Sequence, residues 1–114
     1  MLTSTRQPWT IVYFSERVRQ QIFELPQGIL GEYLRMLELL QNHGADLRMP
    51  FSKAMGNKLF ELRPCGRDGT GRVFYCALKG RRIVMLHSFV KKTEKTPAQE
   101  LRIARKRLKD VQNG

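Results

Sequence analysis

The sequence predicts an α+β domain: an antiparallel sheet of about four strands, an N-terminal helix pair on one face and a basic C-terminal helix. Three observations lead there. Apolar residues recur at helical spacing over residues 15–43, the pattern turns strand-like over 59–89, and a proline-initiated amphipathic stretch closes the chain.

Residues 9–14, Trp-Thr-Ile-Val-Tyr-Phe, are β-branched and aromatic, which predicts a strand. Ser15 is placed to cap a helix running to about Leu25, with Val18, Ile22 and Leu25 at helical spacing and Pro26 ending it. A second helix is expected over 28–43, with Leu30, Leu34 and Leu37 inward, flanked by Ile29, Tyr33, Met36 and Leu40, and with Gly44 at its end. The short link predicts an antiparallel pair. A loop through Met49-Pro50-Phe51 follows, then three strands over 59–63, 72–78 and 82–89, separated by glycine-containing turns. Thr96-Pro97-Ala98-Gln99 reads as an N-cap, a proline at the first helical position and a capping-box partner, starting a last helix that runs to about Val111. With the helix pair on one side, the other sheet face is expected to be free for a substrate.

The whole net charge lies in the second half. Residues 1–52 hold five Lys and Arg against five Asp and Glu; residues 53–114 hold sixteen against five, net +11. Charge segregated in this way points to a polyanion, because neutralising phosphates releases condensed counterions. Within it, residues 53–92 carry net +8 and residues 93–114 net +3. The 114 residues suffice for one domain, 1–114, with a real core. No apolar run approaches the roughly 18 residues that span a membrane, and residues 1–10 lack a signal-peptide pattern, so a cytoplasmic protein is expected. Cys65 and Cys76 have no neighbours at metal spacing, and Cys76 reads as a buried hydrophobe.

The informative residues lie between Phe60 and Lys92. Alternation puts Glu61 with Arg63 on one strand face, and His87 with Phe89 and Lys91 on one face of a later strand. RNA cleavage needs a base for the 2′-OH, cations for the phosphorane and an acid for the leaving 5′-oxygen. Arg63 and Arg72 suit the middle task, since a guanidinium is permanently charged and grips phosphate bidentately. Proton transfer falls to His87 or to a lysine such as Lys91, crowded by Lys92 and the arginines. Phe89 and Tyr75 either stack on a splayed base or belong to the core. Lys53, Lys58, Lys92 and Arg105 are candidates for further phosphate contacts; the basic helix stripe of Arg102, Arg105, Lys106 and Lys109 either grips RNA, meets an acidic antitoxin segment or is solvated. The scheme uses no metal and no cofactor.

In order, the chain carries Leu59-Phe60-Glu61-Leu62-Arg63, then Arg72-Val73-Phe74-Tyr75, then Leu86-His87-Ser88-Phe89-Val90-Lys91-Lys92-Thr93, then Lys95-Thr96-Pro97, then Ala104 and Arg107. This ordered set resembles the RelE/ParE superfamily of bacterial type II toxins, most closely its phage-derived HigB-like branch. The resemblance implies a RelE-like fold and an endonuclease that cuts translated mRNA in the ribosomal A site. It also implies an antitoxin with a helix-turn-helix domain, through which alone operator DNA would be met. Arg72 would then be the phosphate-stabilising arginine and Arg63 its neighbour, with Lys91 or Lys92 near a further basic position. Glu61 departs from the lysines that ribonuclease members often keep on that strand; it is either a base or a partner for Arg63 or Lys91. Two other functions compete: a toxin of this fold that binds and inhibits DNA gyrase, and a plain nucleic-acid-binding module.

Overall fold

A computed structural model describes residues 7–92 and 95–114, so Thr93 of the Leu86-to-Thr93 segment lies outside the described residues. The β-branched and aromatic run near the N-terminus forms β1 (Thr10–Tyr13), and Ser15 accepts a hydrogen bond from the Val18 amide to cap α1 (Glu16–Phe23). After Pro26 comes α2 (Gln27–His43), which ends at Gly44 with φ 54°. The α2 N-terminus has no local side-chain cap. Asp68, forty residues on, accepts from the Gly28 amide at 2.9 Å instead.

Five further strands follow: β2 (Ser52–Gly56), β3 (Leu59–Leu62), β4 (Cys65–Gly66), β5 (Gly69–Leu78) and β6 (Arg82–Lys91), before α3 (Ala98–Asn113). The sheet order is β1-β6-β5-β3-β2, with β4 paired to β5. β3, β5 and β6 make the expected antiparallel meander. Among the described residues the sheet has six strands, not about four, and it is mixed, because β1 lies parallel to β6 from Thr10↔Arg82 to Tyr13↔Met85. β2 is not among the expected strands. Its Ser-Lys-Ala-Met-Gly sequence has little strand preference of its own, and pairing with β3 imposes the conformation.

Two cores flank the sheet. Val18, Ile22, Ile29, Tyr33, Met36 and Leu40 of α1 and α2 pack on Leu62, Val73, Tyr75, Ile83 and Met85. The buried stripe of α2 is thus Ile29-Tyr33-Met36-Leu40, turned one residue from the expected one, and Leu34 is exposed. Tyr33 fixes that rotation by its hydroxyl contact with Tyr13 at 2.9 Å. On the other face Leu59, Phe74, Cys76, Val84 and Leu86 meet Ala104 and Leu108 of α3. That face is therefore not free: α3 covers part of it. No helix among the described residues is long and apolar enough to cross a membrane.

α3 begins at Ala98 with Pro97 at the cap position and no side-chain cap bond, so the expected capping box does not form. The Thr96 hydroxyl donates to Glu61 instead. A buried carboxylate is costly to leave underbonded, and the helix end can turn to water. Near the middle of β6 the ladder slips, from Phe74↔His87 to Tyr75↔Met85, leaving Leu86 as an extra residue. Leu86 and His87 therefore both serve the α3 side, where strict alternation would have separated them.

Burial pushes the Cys76 thiol up to about 11 and, against the lowering effect of the Ser52 hydroxyl, the Tyr75 phenol up to about 12. The unfolded chain releases these protons first, Cys76 near 9.0 and Tyr75 near 10.0. Their contribution to stability is intact below about pH 9 and is lost as pH rises through 11 and 12. Urea midpoints measured at pH 8, 9, 10 and 11 should fall from pH 9 upward, and the Cys76→Ala variant should fall less steeply. A flat profile to pH 11 would contradict this.

Candidate active site

Six of the charged residues singled out above, Lys53, Glu61, Arg63, Arg72, His87 and Lys91, converge on the α3 side of the sheet. Glu61 stands on β3 opposite Phe74 of β5, Arg72 stands on β5 opposite Phe89 of β6, and Phe74 is opposite His87. Directly opposed residues share a face, so β3, β5 and β6 bring Glu61, Arg72, Phe74, His87 and Phe89 together. Lys53, opposite Glu61 on β2, and Lys91, two residues beyond Phe89, lie on the same face.

Glu61 is the hub. Its Oε1 lies 3.4 Å from Arg72 Nε and 3.8 Å from Arg63 Nε, and its Oε2 accepts from Thr96 Oγ1 at 3.1 Å. Glu61 is 2% exposed and Arg72 4%, whereas Arg63 is half-buried at the rim. Arg72 also donates through Nη1 to the Gly71 carbonyl at 2.7 Å, while its buried Nε has no aligned acceptor. Burial holds the Arg72 guanidinium below its ordinary value; Glu61 opposes that, and Arg63 adds to it. Of the two roles open to Glu61, pairing is the one its geometry serves: both oxygens are engaged in holding the arginines and Thr96 in place.

His87, 8% exposed, is engaged at both ring nitrogens. Nε2 lies 2.5 Å from Glu100 Oε1, and Nδ1 lies 3.4 Å from Arg107 Nη1. A guanidinium only donates, so Nδ1 is assigned as the acceptor and Nε2–H as the donor to Glu100. Arg107 also donates to the Leu86 carbonyl at 2.8 Å and lies 5.4 Å from the Phe14 ring centroid. Phe89 stacks against His87, 6.2 Å between centroids, and tilts against Phe74.

The remaining sequence-predicted residues divide. Lys91 is half-buried at the end of β6, and Lys92 is exposed just beyond it. Tyr75 does not join the site. It is 0% exposed on the opposite face, bonded to Ser52 Oγ and stacked on Phe60, so no base can reach it. Lys58 stands in the β2–β3 turn at the far end of the strands. Arg105 ties α3 to β2, donating to the Met55 and Gly56 carbonyls at 2.8 and 3.4 Å. It also lines a cleft of about 540 Å³ with Asn57, Arg102, Lys106 and Lys109, which shares no residue with the Arg72 group. Sequence reasoning missed Thr96 and Glu100 as site residues, Thr96 because a Thr-Pro pair looks complete as a helix-start signal. It also missed Met49, whose sulfur accepts from Arg63 Nη1 at 3.4 Å.

The arrangement offers two cations steered by a shared carboxylate, an imidazole held in one tautomer, and a lysine at the rim. Such a set can hold a phosphodiester and move protons beside it. A comparison with curated proteins finds no match. The family model described as "Phage derived protein Gp49-like (DUF891)" matches residues 20–109, which take in α2, all of β2 to β6 and most of α3. The chain belongs to this Gp49-like family, a family of RelE/ParE-like toxins of toxin–antitoxin systems.

Proposed function

We propose that this chain is the toxin of a type II system and an endoribonuclease of the HigB-like branch. It cuts mRNA on the translating ribosome without a metal ion and is neutralised by a cognate helix-turn-helix antitoxin. The observation that carries the reading is the Arg63-Glu61-Arg72 group on one sheet face with His87-Glu100 and Lys91. A protein that only grips phosphates has no use for a buried arginine and a rim arginine oriented by one carboxylate beside a paired histidine.

In this mechanism a ribose 2′-oxygen attacks the adjacent phosphorus and gives up its proton as the P–O5′ bond breaks. The products are a 2′,3′-cyclic phosphate and a free 5′-hydroxyl. Arg72 and Arg63 meet the charge that grows on the phosphorane oxygens, with Glu61 fixing their direction. Lys91 and the His87-Glu100 pair are the proton carriers, one taking the 2′-proton and the other protonating the 5′-oxygen; the pair acts through the more exposed Glu100 carboxyl, since both His87 ring nitrogens are engaged. Lys53 and Lys92 hold the flanking phosphates. The net +8 of residues 53–92 draws the protein to ribosomal and messenger RNA in the cytoplasm.

Brief induction without antitoxin, followed by mapping of mRNA 5′ ends, should show cuts inside translated frames. Co-sedimentation with ribosomes should weaken steeply with salt. Intact messages accompanied by DNA breaks would reject the ribonuclease and select gyrase as the target.

A further inference from the structure

We propose that Met49 and Phe51 form the platform on which a base of single-stranded RNA stacks beside Arg63. This deepens the ribonuclease reading and rests on it for the RNA being a substrate. Four large hydrophobic side chains stand exposed among the described residues, and two of them, Met49 at 56% and Phe51 at 36%, sit in the turn before β2. Both meet Arg63. Its guanidinium donates to the Met49 sulfur at 3.4 Å, and its backbone amide donates to the Phe51 carbonyl at 3.0 Å. That second bond extends the Ser52↔Leu62 register by one position and sets Phe51 opposite Arg63, on the face that carries Glu61.

The platform is rigid before any ligand arrives. The Phe51 and Ser52 amides both donate to the Arg48 carbonyl at 3.1 Å, and the next side chain, Ser52, is bonded to the buried Tyr75 hydroxyl. Little ordering entropy is then lost on binding. An exposed aromatic ring and a thioether flanking a guanidinium match one nucleotide: a flat apolar base joined through its sugar to a phosphate. The net charge of +11 selects a polyanion over an apolar protein segment. Stacking of this kind tolerates any base, because every base has a π-face. The two aromatics singled out from the sequence are less available: Tyr75 is fully buried, and Phe89 is half-buried against Phe74 and His87.

The test measures affinity of the purified chain for oligouridine and for a ribose-phosphate oligomer of equal length without bases. Phe51→Ala should weaken oligouridine binding about tenfold, Phe51→Tyr should restore it, and neither should change the salt slope, since no phosphate contact is lost. The unsubstituted chain should bind the baseless oligomer about as weakly as F51A binds oligouridine. Equal affinity of F51A and the unsubstituted chain for oligouridine would overturn the platform, as would an unchanged preference for bases over the baseless chain. The platform and the ribonuclease reading fail separately. Loss of base-dependent binding in F51A without message cleavage by the unsubstituted chain keeps the platform and rejects the ribonuclease. Cleavage at the same rate and positions in F51A does the reverse.

Discussion

Arg72→Ala should lower message cleavage by roughly 10²- to 10³-fold, the usual loss when one preorganised donor to a developing oxyanion is removed. Growth arrest on induction should disappear with it. The same substitution breaks a buried ion pair and leaves Glu61 to the more distant Arg63 and the Thr96 hydroxyl among the described residues. Breaking such a pair costs about 3–5 kcal/mol, and the remaining partners put the expected value near the lower end. Loss of activity and loss of folding must therefore be separated. The double variant Glu61→Gln with Arg72→Met removes both charges and should recover most of the stability while staying inactive. The paired measurements are a denaturation midpoint and the rate of mRNA cleavage. Full toxicity in R72A would remove Arg72 from the mechanism; recovery of cleavage in the double variant would make its effect one of stability alone.

Gly44→Ala should destabilise the fold by roughly 3–5 kcal/mol, combining a strained backbone with overpacking. Gly44 has φ 54° and ψ −127°, and an added Cβ would fall inside the Trp9 indole ring. Trp9 cannot easily retreat. Its amide donates to the Gln41 carbonyl at 2.8 Å, and the Arg81 guanidinium lies over its ring at 5.0 Å. Trp9 is the single tryptophan of the chain, so its fluorescence reports directly on the contact. Gly31→Ala is the control: nothing lies within 4 Å of its added Cβ in the exposed middle of α2, and about 0.5–1 kcal/mol of stabilisation is expected. A fluorescence-monitored midpoint for G44A within about 1 kcal/mol of the unsubstituted chain would mean that Trp9 moves aside freely.

The meander was legible because β5 and β6 are long apolar runs bounded by glycine turns, and local pattern decides such strands. β2 and the parallel placement of β1 were not. Both are non-local pairings, and β2 carries no periodic pattern at all. Arg72 stood out as a charge inside an apolar strand, whereas Arg63, one residue past β3, was marked chiefly by the ordered motif set. Of the two roles open to Tyr75, the core is the one it takes, as alternation along the strand requires. Arg72 and Tyr75 are three residues apart and so face opposite sides, whereas Phe89 is paired with Arg72 and shares its side. Thr96 escaped because the local helix-start pattern accounted for it, and both Thr96 and Glu100 have their partners, Glu61 and His87, far away in sequence.

The extra residue in β6 has a mechanical consequence for α3. A regular ladder presents a helix with equivalent seats at successive residue pairs, and side-chain packing alone discriminates between them. At the slip, a carbonyl lies outside the regular pairing, and Arg107 reaches the Leu86 oxygen and the His87 ring from one nitrogen. The sheet offers α3 a second such receptor where the β2 ladder slips between Ala54 and Gly56, and there Arg105 takes the Met55 carbonyl. The two together work as index marks for the helix: they favour one seating of α3 along the sheet, the one that carries Glu100 to His87 and brings the chain before it, with Thr96, onto Glu61.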